Sequence, residues 1–184
     1  PLIDIQHLVS SLKNIYKIWI IAVKNEVKEV LVYLKKTENQ PEISCINLQS
    51  SEPEFHFNLD DEKHCQSEFS IPKKYIYIPN NSVLKSGAFN LVSEKFGLKK
   101  LHQNTHIYTS EEKIEHFPGR IFETEEINSK AIKKGEQFNI ITKNFPLKPE
   151  EIKKKYKIKD GGNQYLIAVK SLSGNHFLVG KLLD

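Results

Sequence analysis

The sequence predicts an α+β fold in two parts, residues 1–71 and residues 72–184. Residues 75–122 predict, in order, a strand, a helix, a second strand, a tight turn and a third strand. The 184 residues are enough for one domain or for two small ones. A proline, several charged residues and a change in the sign of the net charge coincide at residues 70–74, which favours a boundary there.

The first part predicts one helix followed by strands. Asp4 can cap a helix that places Ile5 and Leu8 on one face. A hairpin follows, with a turn at residues 24–26, where asparagine tolerates positive φ. Its first strand has apolar residues on both faces, which predicts that both faces are covered. Strands are predicted at residues 16–23, 27–34, 43–48 and 55–59, and a polar loop at residues 60–66.

The second part predicts a mixed sheet with short helices. Asn80 or Asn81 can cap a helix that ends at Gly97. Gly87 inside this helix predicts either close backbone packing or a break into two short helices. Further helices are predicted at residues 128–134 and 146–156, further strands at residues 138–143, 164–171 and 176–183, and a hairpin turn at residues 173–175.

The charge is divided unevenly along the chain. Residues 1–71 hold seven lysines against eleven acidic residues, a net charge of −4. Residues 72–184 hold twenty Lys and Arg residues against twelve acidic residues, a net charge of +8. This asymmetry favours a polyanion such as nucleic acid as the partner of the second part. The alternative is a lysine-rich surface that only keeps the protein soluble.

Lysines of the second part are the candidate phosphate contacts. An exposed ammonium group can neutralise a phosphate without reading sequence. Tyr75, Tyr77 and Tyr108 could stack on unpaired bases if their rings are exposed, although such residues are more often half-buried strand aromatics. The candidate nucleic-acid contacts are Lys133, Lys134, Lys143, Lys153, Lys154, Lys155, Lys157 and Tyr108, together with Arg120.

Arg120 is the only arginine, against twenty-six lysines. Its planar guanidinium can bind a phosphate through two parallel hydrogen bonds, which an ammonium group cannot do. It follows a Pro-Gly turn, where a loop could present it. A structural ion pair with Glu123, Glu125 or another acidic neighbour explains the residue equally well.

The sequence lacks the motifs that are typical of several classes of function. No glycine-rich loop follows a first strand, so we expect no nucleotide or S-adenosylmethionine site and no catalytic residue. Cys45, His56, His64 and Cys65 match no zinc spacing, so we expect no metal site. The apolar runs are too short to span a membrane. Two cysteines and no signal peptide predict the cytoplasm, and a start at proline with no methionine predicts a fragment of a longer polypeptide.

A set of motifs resembles a THUMP-like domain at the C-terminus of a bacterial family of class I S-adenosylmethionine-dependent methyltransferase-like proteins, of Bacteroidetes type. The resemblance covers most of the chain and is weakest between about residues 36 and 70. The matching residues are Tyr77, Pro79, Asn80, Leu84, Lys85, Gly87, Ala88 and Phe89, then 96–98, His106, 108–110, 117–120 and Phe122, and the match extends towards the chain end through 131–134, 147–151 and 157–162. Residues 1–5 resemble the segment that follows the methyltransferase core in the same family.

The resemblance implies a function that the residues alone do not. It implies that residues 72–184 form a THUMP-like domain that holds tRNA or rRNA for an upstream methyltransferase domain of the same chain, which would bind S-adenosylmethionine. For residues 1–71 we prefer a small ferredoxin-like subdomain over the elements that close a methyltransferase sheet. The competing functions are a protein-interaction module and, less favoured, a complete small enzyme.

Overall fold

The structure, a computed structural model, describes residues 3–36 and 40–183 and forms two compact units. The first unit combines the chain up to Ser67 with residues 79–97 and 115–119. The second combines residues 68–78 and 98–114 with the chain from Arg120 onward. The chain therefore passes between the units several times, and this division differs from the predicted one after residue 71.

The first unit contains a four-stranded sheet in the order β2-β1-β3-β4. Strand β1 is antiparallel to β2 and parallel to β3, and β3 is antiparallel to β4. The elements of this unit are α1 (Ile5–Ser11), β1 (Ile15–Val23), β2 (Glu26–Leu34), β3 (Glu42–Leu48), β4 (Phe55–Asn58), α2 (Asp61–His64), α3 (Asn81–Ser86) and α4 (Phe89–Lys95).

One face of this sheet forms the core of the first unit. Ile18, Ile20 and Ala22 of β1 are fully buried, and α3 packs on β1, β2 and β3. On the other face, Trp19 and Ile21 are only half-buried. The prediction that both faces of β1 are covered therefore holds for one face only.

The predicted polar loop at residues 60–66 contains a one-turn helix, α2. The carboxylate of Glu62 on this helix accepts hydrogen bonds from the backbone N–H groups of Asn90 at 2.9 Å and of Leu91 at 2.7 Å. It thereby satisfies donors in the first turn of α4, which no residue at the start of α4 caps with its own side chain. Since the partners are 28 and 29 residues apart, the sequence pattern could not reveal this role.

The predicted long helix after Asn80 is divided at Gly87. The Asn80 side chain accepts a hydrogen bond from the backbone N–H of Val83 and so caps α3, as predicted. Gly87 then adopts a φ of +80°, a left-handed conformation that ends α3 before α4 begins at Phe89. Of the two alternatives for Gly87, the break into two short helices is confirmed.

The second unit contains a seven-stranded mixed sheet in the order β6-β7-β5-β8-β11-β10-β9. Strand β10 is parallel to β9 and antiparallel to β11, which confirms the predicted mixed sheet. Its elements are β5 (Tyr75–Pro79), β6 (Lys99–His102), β7 (Thr105–Ser110), β8 (Gly119–Ile127), β9 (Gln137–Lys143), α5 (Pro149–Tyr156), β10 (Lys159–Ser171) and β11 (Gly174–Leu183).

Three predicted element boundaries in the second unit are corrected. The helix predicted at residues 128–134 is a single 3₁₀ turn, Ser129–Ala131. The helix predicted from residue 146 begins at Pro149, a residue that suits the first helical position because it lacks an N–H group. The strand predicted at residues 164–171 is longer and begins at Lys159, so Gly161 and Gly162 lie inside β10, where the register with β9 shifts between Asp160 and Tyr165.

The second unit's sheet curls so that strands distant in its order meet. The N–H of Leu172 donates to the carbonyl of Leu101 at 3.0 Å, and the Thr105 hydroxyl donates to the carbonyl of Lys170 at 3.0 Å. These bonds link the β6–β7 hairpin to the end of β10, although four strands separate β6 from β10 in the sheet.

The core of the second unit consists of two apolar clusters. The first comprises Ile76, Ile78, Leu101, Ile107, Phe122, Ile167, Val169 and Leu178. The second comprises Ile132, Phe138, Ile152 of α5, Ile158, Leu166 and Ala168.

No helix within residues 3–36 and 40–183 combines the length and the apolar content that crossing a membrane requires.

Candidate nucleic-acid interface

The predicted lysines fall into two groups near the opposite ends of β9. Lys133 and Lys134 precede the first residue of this strand, Gln137, whereas Lys143 is its last residue. Six steps along a strand span about 20 Å. The structure therefore does not bring the predicted residues together into one cluster.

Three lysines lie on two neighbouring turns at the start of β9. The N–H of Gly135 donates to the carbonyl of Lys157 at 2.9 Å, so the turn before β9 is joined to the turn after α5. Lys133, Lys134 and Lys157 are all exposed on these turns. We call these three residues the turn lysines. Because these side chains are exposed on two joined turns, their ammonium groups are available for contacts with the phosphates of a nucleic acid.

The lysines of α5 differ in their availability. The Lys153 ammonium lies 2.6 Å from an oxygen of Asp160 and 2.5 Å from an oxygen of Glu150. The hydrogen bond to Asp160 has the largest effect on the pKa of Lys153, and together with the one to Glu150 it raises that pKa above its ordinary value. Lys154 and Lys155 are exposed. Lys153 is therefore already engaged by carboxylates, and Lys154 and Lys155 are the accessible cations of this helix.

A second group of polar residues surrounds Lys143. The side-chain amide nitrogen of Asn144 lies 3.0 Å from Oγ1 of Thr105 and 3.5 Å from Nδ1 of His102, which joins the end of β9 to the β6–β7 turn. His106 follows in β7 and is half-buried. We define the seam as Lys100, His102, Thr105, His106, Lys143 and Asn144. Of these residues, sequence reasoning had selected only Lys143.

His106 is held neutral by its surroundings. Burial, and then the positive charges of Lys100 and Lys143, lower the pKa of His106 to about 4. The two lysines come from different strands, β6 and β9, so the effect depends on the curl of the sheet. At neutral pH the seam therefore carries two ammonium groups beside an uncharged imidazole.

This depressed pKa predicts a pH dependence of stability. The unfolded chain, with an ordinary histidine pKa near 6.5, binds a proton that the folded protein excludes until the pH nears 4. The contribution of His106 is therefore complete above about pH 6.5 and is lost as the pH falls towards 4. Urea unfolding at pH 7, 6 and 5 should show a decline that His106→Gln reduces. Equal pH dependence of the two proteins would contradict this assignment.

Arg120 does not make the predicted ion pair with Glu123, Glu125 or another acidic neighbour among the described residues. The Glu123 carboxylate instead contacts the Lys74 ammonium at 3.1 Å, and no ion pair of Arg120 occurs in the part of the chain that the structure describes. The guanidinium carbon lies 5.5 Å from the centre of the Phe122 ring, a cation–π distance. Arg120 is half-buried, and this stacking holds its planar group at the start of β8.

The burial of Tyr108 is incompatible with its predicted role in base stacking. Its ring and that of Tyr77 are fully buried, so neither can stack on a base in this structure. The Tyr77 hydroxyl accepts a hydrogen bond from the N–H of Ile114 at 2.8 Å and donates to the carbonyl of Glu112 at 3.1 Å, which fixes the segment after β7. Tyr77 and Tyr108 are therefore packing residues of their strands and do not form part of an exposed surface for base stacking.

The cysteines are buried thiols in the first unit. Both Cys45 and Cys65 are free. Burial raises the pKa of Cys45 to about 12, and burial with nearby carboxylates raises that of Cys65 to about 11. Such thiols are protonated at neutral pH and poorly suited to nucleophilic chemistry. Within the described ranges, no three His, Cys, Asp or Glu residues are arranged to hold a metal ion.

A groove on the second unit has the wrong charge for phosphate. Its volume is about 500 Å³. Three glutamates, Glu123, Glu125 and Glu136, line it together with two lysines, Lys74 and Lys181. The excess of carboxylates repels a phosphate backbone, so the turn lysines and the seam are the better candidates for such a contact.

Comparison with known proteins assigns these surfaces to two domains. Residues 75–118 match the model of a ferredoxin-like domain, and residues 119–180 match that of a THUMP-like domain. The chain carries a ferredoxin-like domain followed by a THUMP-like domain. The ferredoxin-like match therefore lies at residues 75–118 and not in residues 1–71, for which we predict such a subdomain from the sequence.

A solved structure extends the similarity over nearly the whole chain. A crystal structure of a protein from Porphyromonas gingivalis W83, named a "putative methyltransferase", matches 98% of this chain at 32% identity and a TM-score of 0.85. The match covers 49% of that protein, so this chain spans about half of its length. No curated protein gives a significant match.

Each candidate contact can be assigned to one of the two matched domains. Arg120, the turn lysines and the lysines of α5 all belong to the THUMP-like domain. The seam contains Lys100, His102, Thr105 and His106 from the ferredoxin-like domain and Lys143 and Asn144 from the THUMP-like domain. Both sets of seam residues belong to the second compact unit.

Proposed function

We propose that this chain is a non-catalytic RNA-binding region of an S-adenosylmethionine-dependent RNA methyltransferase. The observation that carries the proposal is the THUMP-like domain at residues 119–180, within a part of the chain that has twenty Lys and Arg residues against twelve acidic ones. The exposed turn lysines supply cations for phosphate contacts. The substrate would be a base in tRNA or rRNA, and the protein would act in the cytoplasm.

The proposal is tested by equilibrium binding of the whole chain. Fluorescence anisotropy with a labelled tRNA transcript, an rRNA stem-loop and a DNA duplex of equal charge should show binding of the RNAs that weakens as salt increases. If none of these nucleic acids binds at low salt, the lysines are only solubilising and the chain is a protein-interaction module. Truncation after residue 71 is unsuitable, because α3 and α4 belong to the same compact unit as the strands β1–β4.

We propose that S-adenosylmethionine binds to a methyltransferase domain of the same polypeptide, outside this chain. A phosphate- or ribose-binding loop needs glycines that lead from a strand into a helix. Gly161 and Gly162 instead lie within β10. Isothermal titration calorimetry of this chain with S-adenosylmethionine should give no heat of binding, and a micromolar Kd would contradict the domain assignment.

An exposed apolar edge of the first unit supports contact with that methyltransferase domain. Strand β2 lies at one edge of its sheet, and Leu31, Tyr33 and Leu34 on it are 47%, 49% and 53% exposed. Such an edge offers unpaired backbone groups and apolar side chains to another strand. The similar crystallised protein is about twice as long as this chain, so a partner from the same polypeptide is the favoured occupant.

The edge contact can be tested by binding in trans. The double variant Leu31→Lys and Leu34→Lys should capture a separately produced methyltransferase half less well than the wild type does. Leu172→Lys is the matched control, since Leu172 is 63% exposed and lies in the second unit. Equal capture by the wild type and the double variant would contradict the contact.

A further inference from the structure

The seam joins three segments that are far apart in the sequence. The β6–β7 turn approaches the end of β9 through the contact of Asn144 with Thr105, at 3.0 Å. Thr105 in turn donates to the carbonyl of Lys170 at the end of β10, also at 3.0 Å. Together with the approach of Asn144 to Nδ1 of His102 at 3.5 Å, these contacts hold the His102, Thr105 and Asn144 side chains in place where the ends of β9 and β10 meet the β6–β7 turn.

The seam concentrates positive charge. Lys143 and the neighbouring Lys170 are exposed, and neither takes part in an ion pair between residues that the structure describes. The charged groups that act on the half-buried His106 are Lys100 on β6 and Lys143 on β9, and no carboxylate is among them. The resulting positive potential favours a bound anion, which would offset the repulsion between these groups.

The polar atoms of the seam are mostly donors. The N–H of Asn104 donates to Nδ1 of His102 at 3.1 Å, so the neutral imidazole carries its proton on Nε2 and can donate from that atom. The Lys143 ammonium is only a donor, and so is the Asn144 amide nitrogen, which lies 3.0 Å from Oγ1 of Thr105 and 3.5 Å from Nδ1 of His102. Donors from an imidazole, an amide and an ammonium group suit a ligand with several acceptor oxygens and a negative charge.

We propose that the seam binds a phosphodiester group of the RNA, with Lys143, His102 and Asn144 as its contacts. This inference rests on the proposed function and makes it more specific, because it adds a phosphate site distinct from the turn lysines. The site takes residues from both the ferredoxin-like and the THUMP-like domain, so neither domain would form it alone. The two phosphate-binding surfaces, about 20 Å apart along β9, would fix the direction of an RNA strand across the second unit.

Removal of charge from Lys143 of the seam and from the neighbouring Lys170 tests the proposal through RNA binding. The double variant Lys143→Gln and Lys170→Gln should bind the tRNA transcript roughly 10-fold more weakly, with a log–log salt slope smaller by about one to two. The control, Lys13→Gln with Lys36→Gln, removes two exposed lysines of the first unit and lowers the net charge equally, so it should weaken binding only slightly and leave the salt slope unchanged. If the seam variant binds RNA like the wild type while its melting temperature is unchanged, the proposal is wrong.

A phosphate titration separates this proposal from the proposed function. In ¹H–¹⁵N spectra of the imidazoles, inorganic phosphate should raise the pKa of His106 relative to chloride at equal ionic strength, and should do so less in Lys143→Gln. No phosphate effect on the wild type would overturn the seam as an anion site. If phosphate raises the pKa of His106 but the protein binds no RNA, the seam remains an anion site and the RNA-binding function is refuted.

Discussion

Reversing the charge of the turn lysines, by Lys133→Glu, Lys134→Glu and Lys157→Glu together, should weaken binding of a tRNA transcript roughly 100-fold near physiological salt. Each substitution removes one counterion-releasing contact and adds a repulsive carboxylate. The three side chains are exposed on two joined turns, so we expect the fold to be preserved. Fluorescence anisotropy at several salt concentrations measures the loss, and circular dichroism checks the fold.

A matched variant separates local contact from overall charge. Lys13→Glu, Lys35→Glu and Lys36→Glu change the net charge equally but lie in the first unit. Long-range attraction of RNA should weaken to a similar extent in both triple variants, whereas direct phosphate contacts are lost only in the variant of the turn lysines. Equal weakening by the two triple variants would show that the turn lysines act only through net charge.

Arg120→Lys should weaken RNA binding by about 1–2 kcal/mol, or roughly 5- to 30-fold, if its guanidinium contacts a phosphate. The substitution keeps the charge, so the salt slope should barely change, but it removes the planar pair of donors. The absence of the predicted ion pairs within the described ranges leaves the stacking on Phe122 as the structural contact of this group.

Stability and affinity have to be measured on the same Arg120 variant. Loss of the cation–π contact alone predicts a slightly lower melting temperature, about 0.5–1 kcal/mol of stability, with RNA affinity unchanged. That outcome would assign Arg120 to the fold and leave the lysines as the phosphate contacts. Gln at this position is a useful comparison, since it removes both the charge and the stacking.

Local signals allowed much of the fold to be predicted. The Asp4 and Asn80 caps, the turn at Lys24 and Asn25 with positive φ, and the antiparallel hairpin that ends the chain all depend on residues within a few positions of each other. Such patterns are written into short stretches of sequence. They identified the mixed α+β architecture without information on tertiary contacts.

The candidate site depended on contacts that no local pattern contains. Lys143 and His106 are 37 positions apart, and only the curl of the seven-stranded sheet brings them together. Tyr108 has ordinary strand chemistry, and its burial follows from packing within the second unit. Likewise, the change in charge near residue 71 describes surface composition, whereas the compact units follow long-range strand pairing.

The central claim is that RNA lies on the basic surface of the second unit. Ultraviolet cross-linking of the whole chain to a tRNA transcript, followed by mass spectrometry of the cross-linked peptides, tests it most directly. We predict cross-links in peptides that contain the turn lysines and in those that contain the seam, at residues 99–106 and 143–144. Cross-links confined to residues 3–67 would contradict the claim.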